Sequence, residues 1–241
     1  MDTGTYGAIY SLSTGQGNRL EATTENLANA MTPGYRRVIA TQGKFDAFMK
    51  AATAGTNKPS SNMVVDFTPG QVRQTDNPFD MSINGNGFFA LQKDGKEYYT
   101  RNGSFSRAPD GTLINSGGLS VMSDKGSIKI PLNTNVSTLS IDANRNLRAG
   151  TTNLGRVRVV TFDDTSKLSR VGPTLFAAPD GTPAKDDTKS AVANRTLEGS
   201  NASIFEEMTE LISCTRAQEA CQKMVHATDQ AESKAIDTYS R

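Results

Sequence analysis

Asn26-Leu27-Ala28-Asn29-Ala30-Met31-Thr32-Pro33-Gly34-Tyr35 is the segment in which a long N-terminal run of helix-favouring residues ends. Pro33 biases Thr32 away from the helical region, and Gly34 permits a turn. A second long helical run extends from Ser203 to Tyr239. The sequence between the two runs is rich in turns and in short strand-forming stretches. This arrangement predicts an assembly subunit whose two helical ends pair with each other and with neighbouring subunits.

Both terminal runs repeat at alternating spacings of three and four residues, which is the rhythm of a heptad seam. Polar residues also occupy seam positions, so we expect the ends to be loosely ordered in the monomer and to fold when subunits stack. An ordinary antiparallel helical hairpin beside a β domain is the alternative. The residues predicted to form the assembly seam are Ile9, Leu20, Leu27, Ile204, Met208, Leu211, Val225 and Ile236.

The predicted fold class is α+β, with long N- and C-terminal helices pairing as a coiled coil and an antiparallel all-β middle domain. Asp94-Gly95 predicts a type I′ hairpin turn within that middle domain. Asn84-Gly85-Asn86-Gly87 predicts a structural turn whose glycines supply positive φ. The predicted boundaries are 1–35 for the N-terminal helix of a discontinuous helical domain, 36–70 for a connector, 71–196 for the β-rich domain and 197–241 for the C-terminal helix.

Composition and charge disfavour several classes of partner. The 241 residues carry a formal net charge of +1 without a basic stripe, which argues against a nucleic-acid partner. The sequence contains no apolar run long enough to span a bilayer, so direct membrane insertion is not expected. The segment from Met1 to Thr5 has neither a basic start nor an apolar core, so we expect no cleaved signal peptide.

Candidate catalytic and ligand-binding patterns are weak. The segment from Gly85 to Ala90 matches a loose dinucleotide pattern, but a strand follows where a phosphate-binding helix is required. His226 is the one histidine, and it falls in the middle of a predicted helix. Cys214 and Cys221 would lie roughly 10 Å apart along a helix axis, too far for a disulfide, and favour a role as small packing residues. We therefore expect no catalytic residue, no cofactor, no metal and no enzyme activity.

Three motifs resemble the bacterial flagellar axial proteins, the rod, hook and hook-associated family. The first runs from Asn26 to Arg37, the second from Asn77 to Phe89 with Tyr99 to Phe105, and the third from Leu197 to Asn201 with later parts of the last helix. They occur in the family's order over nearly the whole chain. The motif residues singled out are Asn26, Leu27, Ala28, Asn29, Thr32, Pro33, Gly34, Tyr35, Asn84, Gly85, Gly87, Phe88 and Phe89.

The resemblance implies a structural subunit of the basal-body rod, most similar to the proximal-rod F-type branch. Such a subunit would polymerise through its terminal helices into the hollow drive shaft that transmits torque to the hook. Its partners would be other rod subunits, further copies of itself in a helical assembly, and the flagellar type III export apparatus, and it would reside in the periplasmic rod. Met31, Cys214 and Cys221 depart from the family pattern. A distal-rod or hook-type subunit and a β-rich binding or adhesin module are the alternatives.

Overall fold

A computed structural model describes residues 3–41, 62–179 and 181–239. The chain divides into two compact units. The first unit comprises Met1–Ala28, Val38–Asp66 and Ser203–Arg241, and the second comprises Asn29–Arg37 and Phe67–Ala202. Side chains are described from Gly15 onwards in the N-terminal helix and, in the C-terminal helix, through Gln230 and then at Ser233 and Lys234.

Within its described residues, the first unit contains two helices and a two-stranded antiparallel sheet. Helix α1 spans Thr3–Ala28 and helix α2 spans Ile204–Tyr239. Strand β1, Val38–Thr41, pairs with strand β2, Asn62–Val65. Glu206 and Glu207 lie in the first turn of α2, where carboxylates interact favourably with the helix dipole.

The predicted pairing of long terminal helices as a coiled coil is wrong. The described structure has a shorter N-terminal helix of 26 residues and a C-terminal helix of 36, and most of the chain is an antiparallel β body. Ile204, Met208 and Val225, three of the predicted seam residues, are exposed. The seam prediction failed because α2 is packed along a different face, which carries small and polar side chains. The apolar residues at heptad spacing lie on an exposed face of the helix instead.

The connector predicted within residues 36–70 is only partly described. Residues 42–61 lie outside the described part of the chain. On either side of that gap, the chain forms the paired strands β1 and β2.

The described residues of the second unit form seventeen short strands, all in antiparallel pairs. They are β3 Val72–Gln74, β4 Met81–Asn84, β5 Phe88–Lys93, β6 Lys96–Thr100, β7 Phe105–Arg107, β8 Leu113–Asn115, β9 Ser120–Ser123, β10 Gly126–Ser127, β11 Leu139–Ile141, β12 Asn146–Ala149, β13 Thr152–Arg156, β14 Val159–Thr161, β15 Ser169–Arg170, β16 Leu175–Ala177, β17 Lys185–Asp186, β18 Ala191–Asn194 and β19 Thr196–Glu198.

The largest sheet contains ten strands, with the order β15-β16-β6-β5-β9-β8-β7. Strand β10 joins β9, β14 joins β5, and β17 joins β14. A separate three-stranded sheet has the order β11-β12-β13. The late strands β18 and β19 pair with the early strands β4 and β3, so the end of the unit closes onto its beginning.

The core of the second unit draws on strands from several of these sheets and is aliphatic and aromatic. Phe89 packs edge-on against Phe105, with 5.3 Å between ring centroids. Phe88 packs against Phe67, Phe162 and Phe176. Other fully buried members of the core include Met81, Leu91, Leu113, Ile128, Ile130 and Leu147.

Two predicted turns can be compared with the backbone. Asp94 and Gly95 have φ of +50° and +77° between β5 and β6, so the predicted type I′ turn is confirmed. Gly85 has φ of +138°, as expected. Gly87 lies outside the left-handed region, so the expectation of positive φ was wrong there. Glycine is required at this position by close packing, because a Cβ on Gly87 would lie 2.4 Å from Cγ1 of Val159.

We predict that Gly85→Ala and Gly87→Ala each lower the free energy of unfolding of the second unit by about 2 kcal/mol or more. A Cβ at Gly85 would add left-handed strain to a 2.1 Å approach to Oγ of Ser190, and a Cβ at Gly87 would overlap Val159. Gly95→Ala is the matched control, because its Cβ would meet nothing within 4 Å. It should cost only about 1 kcal/mol. Urea unfolding followed by circular dichroism measures the three losses, and equal losses would contradict the packing explanation.

Candidate assembly surface and the junction of the sequence motifs

A buried carboxylate joins three distant segments of the second unit. Nη2 of Arg36 donates to Oε1 of Glu198 over 2.6 Å, and Nη1 of Arg101 donates to Oε2 over 3.3 Å. The backbone N–H of Gly70 donates to Oε1 over 3.0 Å. The three charged residues are at most 3% exposed. The three sequence motifs therefore meet at this one carboxylate.

Close backbone approaches explain the glycines around this junction. The N–H of Gly34 donates to the carbonyl of Glu198 over 2.8 Å. A Cβ on Gly34, which has φ of +69°, would lie 2.2 Å from the backbone nitrogen of Asn102. A Cβ on Gly103 would lie 1.6 Å from the carbonyl oxygen of Met81. No side chain fits at either position without moving the backbone.

The charges at the junction do not balance locally. Burial lowers the pKa of Arg101 to about 10, and the neighbouring Arg36 acts in the same direction, while the attraction of Glu198 opposes the shift. Arg101 also donates to the backbone carbonyls of Ile83 and Gly85. Nε and Nη1 of Arg36 are buried and have no partner among the described residues. The single carboxylate thus serves two buried cations.

An asparagine holds the same segments together beside the junction. Oδ1 of Asn201 accepts from the N–H of Arg37 over 2.7 Å. Its Nδ2 donates to the carbonyl of Thr68 over 3.0 Å. The segment before β1 is therefore attached to the segment after β19 through side chains as well as backbone.

Asn26 performs a related task within the first unit. Its Oδ1 accepts from the N–H of Val38 and its Nδ2 donates to the carbonyl of Val38, both over 2.8 Å. The side-chain amide therefore pairs with Val38 as a neighbouring strand would. Nδ2 also lies 3.3 Å from Oε2 of Glu207, which links α1, β1 and α2.

The packed face of α2 is marked by Glu207, Cys214 and Cys221, which recur every seven residues and are at most 3% exposed. Both thiols are free and buried, as predicted for small packing residues. Burial raises the pKa of Cys214, and the nearby Glu210 adds to the shift. Glu210 in turn pairs with Arg19 of α1. This pair and the contact between Asn26 and Glu207 show that the two helices run antiparallel.

A different face of α2 exposes large apolar side chains. Phe205 is 83% exposed, and Ile212 and Met208 are 55% and 50% exposed. With Ile204 and the half-buried Leu211, these residues cover the first turns of the helix; we call Ile204, Phe205, Met208, Leu211 and Ile212 the apolar face of α2. Contiguous exposed apolar surface of this kind marks an interaction site.

The predicted seam residues are divided between these surfaces. Leu20 and Leu27 are half-buried in α1, Ile204, Met208 and Val225 are exposed on α2, and Leu211 is half-buried. The side chains of Ile9 and Ile236 lie outside the described ones. Among the motif residues, those that are buried are Asn26, Gly34, Tyr35, Gly87, Phe88 and Phe89, those that are half-buried are Leu27, Asn29, Thr32 and Pro33, and those that are exposed are Ala28, Asn84 and Gly85.

Sequence reasoning gave no role to Arg36, Arg101, Glu198 or Glu207. All four fall within the motif segments that the resemblance identified. For Glu198 the available signal was a charged residue between Leu197 and Gly199, where burial would require a partner of opposite charge.

The described residues contain no group of three or more His, Cys, Asp or Glu side chains placed to hold a metal ion. Across the part of the helices that is described, none has the length and hydropathy needed to cross a membrane.

The fold and the exposed helix face define a β-rich structural subunit with terminal helices. The chain matches the family model of the flagellar hook protein FlgE/F/G D1 domain over residues 82–148. It also matches the C-terminal model of the flagellar basal body rod FlgEFG proteins over residues 193–238. The first match runs from within β4 to within β12. The second runs from the end of β18 through β19 and nearly all of α2.

Curated relatives align over most of their length. The flagellar basal-body rod protein FlgF of Salmonella typhimurium is 30% identical over 238 residues, covering 90% of this chain and 91% of the relative. FlgF of Caulobacter vibrioides is 29% identical over 223 residues, covering 90% of each. The rod protein FlgG of Agrobacterium fabrum is 28% identical over 245 residues, covering 90% and 92%. The chain belongs to the flagellar basal-body rod protein family.

We predict that Glu198→Gln lowers the free energy of unfolding of the second unit by about 3–5 kcal/mol, because it leaves Arg36 and Arg101 as uncompensated buried cations. Glu97→Gln is the control, since its pair with Arg158 is part-exposed. It should cost less than about 1 kcal/mol. Urea unfolding compares the two, and a loss at Glu198 no larger than at Glu97 would show that the junction does not hold the segments together.

We predict that Asn26→Leu exposes the backbone groups of Val38 to exchange. The variant keeps the side-chain volume but leaves one buried N–H and one buried C=O without partners, at about 1–3 kcal/mol for each. Hydrogen exchange at the Val38 amide should accelerate while amides in β5 and β6 are unchanged. Thr24→Ala, on the exposed side of α1, should leave the Val38 amide protected. If the Val38 amide stays equally protected in Asn26→Leu, contacts other than the Asn26 amide hold β1 in place.

Proposed function

We propose that the chain is a structural subunit of the proximal flagellar rod that polymerises through its terminal helices into the hollow shaft transmitting torque to the hook. Membership of the rod protein family makes a structural role the established part of this statement. The apolar face of α2 is the observation that carries the polymerisation step, and the several FlgF relatives support the F-type assignment.

The apolar face of α2 is energetically suited to a protein partner. Phe205, Met208 and Ile212 are each at least half exposed in the isolated chain. Burying a side chain of this size contributes about 1.5–3 kcal/mol. Three such side chains, repeated at each contact of a polymer, would supply a large share of the subunit binding energy even after ordering costs.

The second half of α2 also needs a neighbour. From Gln222 to Gln230 every residue except the half-buried Thr228 is exposed. An exposed helix of this length is only marginally stable without packing. Neighbouring subunits in a stacked array would provide that packing.

The remaining parts of the proposal follow from rod membership. The partners are other rod subunits and further copies of this chain, and the location is the periplasmic rod of the basal body. Passage through the flagellar type III export apparatus would deliver the subunit there without a cleaved signal peptide. The role is structural and not catalytic.

We predict that Met208→Asp and Ile212→Asp abolish rod assembly and leave the monomer folded, because a carboxylate on the apolar face cannot be buried without a partner. Soft-agar motility of a strain relying on the variant should be lost, and circular dichroism of the purified monomer should be unchanged. Ser213→Asp is the control: it adds the same charge at an exposed position on the same helix but outside the apolar face.

Motility with Ser213→Asp should remain near that of the unmodified chain. Full motility with Met208→Asp or Ile212→Asp would show that the apolar face of α2 is not part of the assembly interface. Loss of motility with all three would point to a general intolerance of charge on α2.

A further inference from the structure

We propose that the second unit carries a binding groove for an oligosaccharide bearing carboxylate groups. The groove has a volume of about 570 Å³ and lies between the β9–β10 hairpin and the β12–β13 hairpin. Its charged and amide-bearing lining residues are Asp124, Lys125, Lys129, Asn146, Asn153 and Arg156. We name this the basic groove. It shares no residue with the apolar face of α2 or with the junction at Glu198.

Backbone contacts hold the two hairpins together and so fix the groove. Ser123, at the end of β9, forms a bridge with Val157, just after β13. Gly155 has φ of +132°, and a Cβ there would lie 3.5 Å from Cβ of Ser123. Gly126 accepts from Oγ of Ser123 over 2.7 Å, which closes the β9–β10 turn. The walls of the groove are therefore set by strand pairing and not by loose loops.

The groove concentrates positive charge in a chain that is nearly neutral overall. Arg156 is occupied, because its Nη1 lies 3.3 Å from Oδ2 of Asp124 and its Nε donates to the carbonyl of Asn144 over 3.1 Å. Lys125 and Lys129 are exposed, and within the described ranges neither forms an ion pair. Two exposed ammonium groups therefore line the groove together with the guanidinium of Arg156, and the pKa of the Asp110 carboxyl is lowered by hydrogen bonds from Thr112 and also by the charge of Lys129.

A further cation lies directly beside the lining. Arg145 precedes the lining residue Asn146, is 4% exposed and has φ of +66°. Its Nη1 is buried without a hydrogen-bond partner among the described residues. Burial lowers the pKa of Arg145, and Arg156 adds to that shift, whereas Asp187 and Asp124 oppose it. An anion held in the groove would offset this concentration of positive charge.

The lining suits a carboxylated sugar. Guanidinium and ammonium groups recognise carboxylates through charge-assisted hydrogen bonds. Ser127 and Asn153 add hydroxyl and amide groups that match sugar hydroxyls. The Ser127 hydroxyl donates to Oγ of Ser120, and Oδ1 of Asn153 accepts from the N–H of Gly155. The ten lining residues include no aromatic side chain. A single-stranded nucleic acid would require such rings for base stacking.

The test is a titration of the full chain with tetragalacturonate at low salt, followed by calorimetry and by amide chemical shifts. We expect saturable binding that weakens as salt is added, with shifts at Asn153 and Gly155. Lys125→Gln combined with Lys129→Gln should weaken binding at least about tenfold, as the loss of one charge-assisted contact would. Lys93→Gln combined with Lys96→Gln is the matched control, because it removes two exposed lysines from another hairpin and should change binding less than about twofold.

Any of these results would overturn the proposal: no saturable binding, equal loss in both double variants, shifts confined to residues outside the groove, or equal binding of the neutral maltotetraose. Binding of inorganic phosphate or a single-stranded oligonucleotide as tightly as tetragalacturonate would likewise reject a carboxylated sugar as the ligand. Motility is measured in parallel. Failure of the rod proposal would appear in the α2 variants, and failure of this one in the titration.

Discussion

The carboxylate of Glu198 is the group on which the arrangement of the second unit depends. It accepts from Arg36, Arg101 and the backbone of Gly70, which come from three separate parts of the chain. Removing an ion from water costs several kcal/mol, and mutual attraction only partly returns that energy. With two cations on one carboxylate, the network contributes little net stability over an apolar core. Its consequence is specificity: any other placement of these segments would leave a charge buried alone.

Close packing around that carboxylate also holds the neighbouring segments of the second unit in place. Gly34 and Gly103 allow backbones to approach where no side chain fits, and Asn201 attaches the neighbouring segments on the other side. Strands β18 and β19 then pair with β4 and β3, which closes the β body. The β body in turn sets the walls of the basic groove, because those walls are strand ends whose spacing follows from pairing.

The first unit shows a different distribution of polarity. The packed face of α2 contains a carboxylate and two thiols, while phenylalanine, methionine and isoleucine side chains are exposed on another face. A monomeric helix normally places its apolar stripe inside. The reversal has a physical meaning in a polymer, where the outer face of one subunit becomes the interior of the assembly. Asn26, also buried in this unit, pairs through its side-chain amide with the backbone of Val38 in β1.

The sequence alone determined the family, the turn at Asp94-Gly95, and the packing role of Cys214 and Cys221, since each depends on local residue chemistry or on motif order. It also marked the segments that hold the junction, without showing that Arg36, Arg101 and Glu198 meet. That meeting depends on contacts between residues up to 162 positions apart, which no local pattern encodes. The coiled-coil prediction failed for the same reason: an apolar spacing shows which residues share a helix face, and only tertiary packing decides which face is buried.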